Sequence, residues 1–150
     1  MRQKTVFNVG DEWRGYNKVD MINNIFKTHY KQYMRSSVKL EKYGEPNMIA
    51  WFVNLNGEVH GTGADWLWIN HLYNSGTFIE EECVSISKEK YEYEMKKHLY
   101  PIRAVFQLDP HNRGNNYECR FLGVFKLTKH DTITCTKDYD RIADKLELYI

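Results

Sequence analysis

The chain has 150 residues, of which 42% are apolar and 27% charged, and its formal net charge is +1. This length favours a single domain over residues 1–150, and the composition is typical of a globular protein. The near-neutral charge excludes a histone-like polycation and an acidic mimic of DNA. No apolar run approaches 18 residues and no signal-peptide core follows the N-terminus, so we expect a cytoplasmic protein with no membrane partner.

Charge and aromatic residues are unevenly distributed along the chain. Residues 1–42 carry nine Lys/Arg and four Asp/Glu, a balance of +5, whereas residues 43–87 carry six acids and no Lys or Arg. Three of the four tryptophans, Trp51, Trp66 and Trp68, lie in this acidic block. A basic arm beside an acidic, aromatic block is the main compositional indication of function.

The basic arm contains a predicted helix. Apolar residues recur at three- and four-residue steps over residues 19–35, which predicts an amphipathic helix with Asn17 or Asp20 as its N-cap. One face of this helix carries basic residues at i, i+4 and i+8: Lys27, Lys31 and Arg35. Such a line is either a solvated face or a ridge that contacts phosphates.

Most of the remaining chain predicts β-structure. Residues 48–55 form an apolar run that predicts a buried strand, and the following Asn56-Gly57 predicts a hairpin turn to a partner strand at 58–60. Alternation is clearest at 102–108 and 117–127, with Gly123 as a bulge and 109–116 as a loop. The weaker patterns predict strands at 5–9, 78–86 and 132–135, a helix from 88 to about 99 capped by Ser87, and a short helix or irregular tail at 138–146.

These elements predict an α+β domain built on a mostly antiparallel sheet that is curled or closed into a small barrel, with flanking helices. We expect the strands at 48–55, 102–108 and 117–127 to share one sheet. The helix is expected to pack on that sheet through three apolar residues: Ile22, Ile25 and Phe26.

The acidic block contains a candidate base or ligand pocket, formed by Trp51, Asp65, Trp66, Trp68 and Tyr73. Aromatic faces beside a carboxylate suit a flipped nucleobase, whose polar edge the carboxylate reads, or a cationic group held by cation–π attraction. The alternative is an ordinary core cluster, because Trp is largely buried on average.

Three arginines surround the predicted 109–116 loop. Arg103 and Arg120 are expected on the polar faces of the two flanking strands, and Arg113 at the tip of the loop. A loop with a central Arg suits insertion into a groove or into a gap in a base stack, whereas the alternative is a soluble turn.

The cysteines and histidines carry no recognisable catalytic or metal motif. Cys83, Cys119 and Cys135 are far apart and are expected to be buried thiols. No histidine has zinc-ligand spacing, and no segment supplies the acid-x-Lys pattern of a metal-dependent nuclease. We therefore expect no metal, no cofactor and no catalytic residue.

The segment from Arg103-Ala104-Val105-Phe106 to Tyr117-Glu118-Cys119-Arg120-Phe121-Leu122-Gly123-Val124-Phe125 resembles the closing strands of PUA-like domains. These domains include the SRA-like modules that accompany modification-dependent restriction endonucleases. The later Tyr139-Asp140-Arg141-Ile142 resembles the end of such modules. The resemblance implies a curled barrel with flanking helices and a concave face that holds a base, often a modified one, out of its duplex.

The leading hypothesis is a nucleic-acid-binding module that reads a flipped or modified base, linked to restriction or to phage–host defence. A second hypothesis is a small phage or mobile-element protein that binds a host enzyme as its protein partner through the acidic, aromatic block. A third is a small hydrolase or nuclease. Steep salt dependence distinguishes the first hypothesis from the second.

Overall fold

The structure is a computed structural model that describes residues 2–31, 35–61, 67–84, 87–98, 100–113 and 115–150. In these ranges the chain forms mainly β-strands. The strands are β1 Lys4–Asn8, β2 Glu12–Gly15, β3 Ser37–Lys39, β4 Met48–Val53, β5 Asn56–Gly61, β6 Leu67–Tyr73, β7 Phe78–Cys83, β8 Ile102–Leu108, β9 Tyr117–Asp131, β10 Thr136–Ala143 and β11 Lys145–Tyr149. The helices are α1 Lys18–Phe26 and α2 Lys88–His98, with 3-10 turns at Glu41–Tyr43 and Asn74–Gly76.

Nine of these strands form one mixed sheet. Its order is β3-β4-β8-β9-β10-β7-β6-β5, and β2 pairs with the first half of β9. The β4–β8 pair is parallel and the other described pairs of this sheet are antiparallel. Over the described residues β3 and β5 form the two edges, so the sheet does not close into a barrel. The fold is therefore mostly β, and β1 and β11 form a separate two-stranded sheet.

The predicted strands at 48–55, 102–108 and 117–127 do share one sheet, as β4, β8 and β9. Gly123 lies at the predicted bulge, where the β8–β9 register shifts and the backbone takes a φ of 119°. Residues 109–113 connect β8 to β9 without regular structure, as predicted for this loop, and Arg113 forms an isolated bridge with Asn116.

The predicted hairpin at Asn56-Gly57 is wrong. Strand β5 pairs with β6, while β4 lies between β3 and β8. Because β4 is buried along all six of its residues, it suits a central position in the sheet. Gly57 instead lies at a register irregularity in β5 with a φ of +75°, and a Cβ there would lie 2.7 Å from the ring of His71. Gly57 is therefore required by a bulge in β5 and by the close approach of the His71 ring, and not by a turn.

The central strands bury a core on each face of the sheet. Ala50 and Phe52 of β4 belong to the core that contains α1, whereas Trp51 and Val53 belong to a second core on the other face. This follows from strand geometry, because successive side chains point to opposite faces. Helix α1 packs on the first face as predicted, through three residues of that core: Ile22, Ile25 and Phe26.

Helix α1 is much shorter than the predicted 19–35. It ends at Phe26 because Lys27 adopts the left-handed conformation, with a φ of 54°. The Asn23 side chain then binds the following segment: its Oδ1 accepts from the Thr28 hydroxyl and the Tyr30 N–H, and its Nδ2 donates to the Tyr30 carbonyl. These bonds hold residues 28–30 in a non-helical path, so Lys31 and Arg35 lie outside the helix.

Replacing Asn17 by Ala should lower the stability of the domain by about 1 kcal/mol. Asn17 is the N-cap of α1, and its Oδ1 accepts a 2.8 Å hydrogen bond from the Asp20 N–H that alanine cannot replace. Urea denaturation followed by circular dichroism measures the change. Asn17→Ser, which keeps a capping oxygen, should restore most of the loss, and equal losses in both variants would contradict the assigned cap.

The end of the chain differs from its sequence prediction. Residues 132–135 form a turn instead of a strand, and residues 138–146 belong to β10 and β11 instead of a helix or tail. Strand β10 is inserted between β7 and β9, and β11 pairs with β1. The helix at Lys88–His98 is confirmed, with the Ser87 hydroxyl accepting from the Lys90 N–H.

None of the helices in the described part of the chain has the length and apolar character needed to span a membrane.

Candidate functional site

Three neighbouring strands bring buried polar residues into register on one face of the sheet. Asn70 of β6 pairs with Glu81 of β7, which pairs with Lys137 of β10. All three are buried, with 4%, 6% and 3% of their surface exposed. The Lys137 Nζ lies 2.8 Å from Glu81 Oε1, so the lysine and the glutamate form a buried ion pair.

Arg103 of β8 adds a second cation to this group. Its Nη1 lies 3.6 Å from the same Glu81 oxygen, and the residue is 7% exposed. The guanidinium lies against two aromatic rings, 4.5 Å from the ring centre of Trp51 and 4.7 Å from that of Tyr139. We call Asn70, Glu81, Arg103, Lys137 and Tyr139 the buried polar cluster.

The charges of the cluster determine its protonation. Burial alone would raise the pKa of Glu81, but the Lys137 and Arg103 charges and the Lys137 hydrogen bond hold that pKa below its ordinary value. Burial lowers the pKa of Lys137, and the Glu81 carboxylate opposes this shift. Glu81 is therefore ionised at neutral pH, and two cationic side chains surround one carboxylate.

Three polar atoms of the cluster have no hydrogen-bond partner among the described residues: Asn70 Oδ1, Arg103 Nε and Tyr139 OH. Burial raises the pKa of the Tyr139 phenol, so it stays protonated and can donate. An unpaired buried polar atom costs about 1–3 kcal/mol, and native proteins contain few of them. Three such atoms within one cluster make it the candidate site of the described residues.

Two of the predicted pocket aromatics lie on either side of the cluster. Trp51 contacts Arg103, and the half-buried Trp68 has the Lys137 Nζ 5.1 Å from its ring centre. Trp68 also packs on a small core, which contains Cys83, Tyr91, Met95 and Cys135. Trp51 is itself a core residue, so the pocket and core interpretations both apply to it.

The other predicted pocket residues do not join this group in the described structure. Tyr73 is 44% exposed and stacks on His71; both lie on the face of β6 opposite to Trp68 and Asn70. Its assignment to the same pocket is wrong, because residues at odd spacing on a strand point to opposite faces. Asp65 and Trp66 lie outside the described residues.

The predicted phosphate ridge does not exist, because α1 ends before it. Lys27 caps the helix, Lys31 is exposed outside it, and the Arg35 guanidinium lies 3.9 Å from the ring centre of Tyr30 and donates to the Ser37 carbonyl. The three side chains therefore share no helical face.

The other predicted arginines are found in three different environments. Arg103 is buried in the polar cluster, so its placement on a polar strand face is wrong. Arg120 is exposed but pairs with Glu12 across the β2–β9 contact. Arg113 is exposed in the loop before β9, where its insertion into a groove or a gap stays a prediction.

Sequence reasoning missed Asn70, Glu81, Lys137 and Tyr139 as site residues. One signal was present: in β7, Glu81 stands between Ile79 and Cys83 at two-residue spacing, which places a glutamate on the buried face of the strand. Lys137 and Tyr139 were hidden because the end of the chain was not recognised as a strand.

The described residues contain no group of three or more His, Cys, Asp or Glu that could hold a metal ion. All three cysteines are buried free thiols, as the sequence predicts, and burial raises the pKa of Cys119 to about 12. A thiol with so high a pKa is not a nucleophile at neutral pH.

The sequence profile of the SET and RING associated domain, abbreviated SRA, matches residues 2–148. The chain belongs to the SRA family. SRA domains bind DNA and read modified bases. The family resemblance inferred from the closing strands is thereby confirmed.

A solved structure shares the fold of this SRA domain. "The 5-Hydroxymethylcytosine-Specific Restriction Enzyme AbaSI" aligns with a TM-score of 0.68 and 20% sequence identity, covering 96% of this chain and 42% of that chain. At this identity the similarity establishes the fold, and the chain spans less than half the length of that enzyme. No curated protein sequence matches the chain.

Proposed function

We propose that this SRA domain reads a modified cytosine that is flipped out of DNA and bound at the buried polar cluster. The observation that carries the proposal is the set of three buried atoms that have no partner in the described part of the chain, Asn70 Oδ1, Arg103 Nε and Tyr139 OH. They supply one acceptor and two donors on one face of the sheet. A base is the ligand that the family reads, and flipping is the general way in which proteins reach a base inside a duplex.

The polar edge of cytosine complements these groups. Its exocyclic amine donates hydrogen bonds, whereas its ring N3 and O2 accept them. Asn70 Oδ1 suits the amine, and the donors of Arg103 and Tyr139 suit the two acceptors. The second cation of the cluster favours an acceptor-rich edge, since Glu81 neutralises only one of Arg103 and Lys137.

Aromatic stacking would provide the rest of the binding energy. Trp68 is half-buried beside Lys137, and a base stacked on an aromatic ring gains about 1–3 kcal/mol. Trp51 instead holds the Arg103 guanidinium in place together with Tyr139, whose ring centre lies 6.0 Å from that of Trp51. In this arrangement Trp51 is a positioning residue for Arg103, and Trp68 contacts the base.

We also propose that reading is linked to restriction. The structural neighbour is described as specific for 5-hydroxymethylcytosine, and this chain aligns with 42% of it. A module that reads without cutting would accompany a nuclease carried elsewhere. The rival proposal of an acidic, aromatic protein-binding surface loses support, because Glu81 and Trp51 of that block are buried.

Binding to three otherwise identical duplexes tests the proposal directly. The duplexes carry one cytosine, one 5-methylcytosine or one 5-hydroxymethylcytosine, and fluorescence anisotropy measures the affinity at two salt concentrations. We expect a modified duplex to bind at least tenfold more tightly than the plain one at both salt concentrations. Equal affinity for all three duplexes would contradict the proposal.

Replacing Tyr139 by Phe should separate binding from folding. The hydroxyl has no partner among the described residues, so its removal should leave the melting temperature unchanged or slightly higher. The lost hydrogen bond should weaken binding to the modified duplex about threefold to tenfold. Tyr149→Phe, on an exposed residue of β11, is the matched control. If Tyr139→Phe lowers the melting temperature but leaves the affinity for the modified duplex unchanged, Tyr139 is a core residue only.

A further inference from the structure

A second candidate site lies on the opposite face of the sheet from the buried polar cluster. It is an open groove of about 440 Å³ between the end of α1, the 3-10 turn at Glu41–Tyr43 and the two chain termini. Phe26 and Tyr43 form its floor, and both belong to the core on the α1 side. Trp51 and Tyr139 belong to the core on the other side, so the groove and the base site are separate.

The rim of this groove is basic. Arg2, Lys27, His29 and Lys42 line it with exposed side chains, and no Asp or Glu side chain is among its described lining residues. No salt bridge of Arg2, Lys27 or Lys42 occurs within the described part of the chain. These cations create a local positive potential that attracts anions.

Two of the cations are held in place by one aromatic ring. The Arg2 guanidinium carbon lies 5.3 Å and the Lys42 Nζ 5.1 Å from the ring centre of Tyr43. Tyr43 itself stacks on Phe26, with the ring centres 5.7 Å apart. Because this floor is buried and packed, the cations converge on the groove instead of extending independently into water.

Residues 28–30 form one wall of the groove. This wall is fixed because the Asn23 side chain makes hydrogen bonds to it. At the start of this wall Lys27 holds a left-handed φ of 54°, a conformation that favours glycine or asparagine. A lysine in such a conformation carries backbone strain, which the end of α1 and the Asn23 hydrogen bonds hold in place. Lys27 is therefore fixed at the rim of the groove.

From these observations we infer that the groove of Arg2, Lys27, His29 and Lys42 is a phosphate-binding site independent of base reading. Four convergent basic groups on a rigid aromatic floor suit a phosphate, which is bound by lysine as a point charge and by arginine through paired N–H donors. The phosphate belongs either to a DNA backbone or to a free phosphorylated molecule.

Lys27→Gly is the variant that tests this inference. Glycine removes the charge and accepts the left-handed backbone without strain, so the variant should melt at the same temperature as the wild type or higher. Lys145→Gly is unsuitable as a control because glycine weakens a strand. Lys145→Ala removes an equally exposed charge at the far end of β11 and keeps the strand intact.

Two binding measurements distinguish the sources of the phosphate. The first is the affinity for an unmodified duplex as a function of salt, where loss of one phosphate contact should lower the slope of log K against log salt by about 0.9. The second is calorimetric titration with inorganic pyrophosphate. We expect Lys27→Gly to weaken pyrophosphate binding at least fivefold, while Lys145→Ala leaves it unchanged.

A lower salt slope together with weaker pyrophosphate binding identifies a DNA backbone as the ligand. Weaker pyrophosphate binding with an unchanged slope identifies a free phosphorylated molecule. If neither quantity differs between Lys27→Gly and Lys145→Ala, the inference is wrong. In every case the ratio of affinities for modified and plain duplexes should stay that of the wild type, so failure here does not affect the base-reading proposal.

Discussion

Replacing Glu81 by Gln is expected to destabilise the domain by about 3–5 kcal/mol. The substitution keeps the size of the side chain but leaves Lys137 and Arg103, 3% and 7% exposed, without their shared carboxylate. A buried charge that loses its partner retains its desolvation cost, which explains the size of the effect. Guanidinium or urea denaturation at pH 7 measures the loss, and an effect below about 1 kcal/mol would contradict the assigned ion pair.

A neighbouring residue provides the control for Glu81. Glu82 follows it in β7 but points to the other face of the sheet and is only half-buried. Glu82→Gln should change stability by no more than about 0.5 kcal/mol. The two variants differ by one position, so their contrast separates the buried pair from a general effect of removing negative charge.

The pH dependence of stability provides a second check on the same carboxylate. Because the pKa of Glu81 in the folded state lies below its ordinary value of 4.5, the unfolded chain binds a proton more readily. The stabilisation is complete above pH 4.5 and is lost as the pH falls through the folded-state pKa. Glu81→Gln should therefore lose less stability than the wild type between pH 5 and acid unfolding.

Replacing Asn70 by Leu is expected to weaken binding to a duplex that carries a modified cytosine, with little loss of stability. Asn70 Oδ1 is buried without a partner among the described residues, so an apolar side chain of similar size should be tolerated there. If this atom accepts from the base, its loss should lower affinity for the modified duplex by about 1–3 kcal/mol, a factor of roughly 5 to 150.

The control for Asn70 lies on the same strand. His71 points to the opposite face of β6, where it stacks on Tyr73. His71→Leu should leave the affinity for the modified duplex unchanged. A folded Asn70→Leu variant that keeps the wild-type affinity for that duplex would show that the base is read elsewhere, whereas an unfolded variant would show that the Asn70 amide stabilises the cluster in the free protein.

Together these variants distinguish two roles within one cluster. Glu81 is the shared counter-ion of the two cations, so its substitution should affect stability first. Asn70 and Tyr139 carry atoms without a partner among the described residues, so their substitution should affect base binding first. If the cluster served folding alone, all three substitutions would lower stability and none would weaken base binding in a folded variant.

Much of the β-structure follows from the order of residues alone. Alternation predicted the strands β8 and β9, although β8 is buried on both faces, and Gly123 marks the bulge because its φ of 119° is open mainly to glycine. The apolar positions of α1 predicted its buried face. These are local properties: the two-residue repeat of a strand, the 3.6-residue repeat of a helix and the conformational freedom of one glycine.

The site residues could be predicted only in part. The concentration of tryptophan identified Trp51 and Trp68, which do flank the buried polar cluster. The helix boundary was missed because a side chain decides it: Asn23 binds residues 28–30 and replaces the helical hydrogen bonds there. Periodicity detects apolar faces, but it does not detect such side-chain competition.

The sequence by itself determined the strands β4, β8 and β9, the apolar face of α1, the aromatic content of the site and the resemblance to SRA-like modules. Only the tertiary structure decided that Asn70, Glu81, Arg103 and Lys137 meet, since these residues lie on β6, β7, β8 and β10. The insertion of β10 between β7 and β9 brings them together. The physical reason is that a charged residue in a strand is predicted to be exposed to solvent unless its counter-charge is known. That counter-charge lies on another strand, and the pairing of strands distant in sequence depends on the whole sheet.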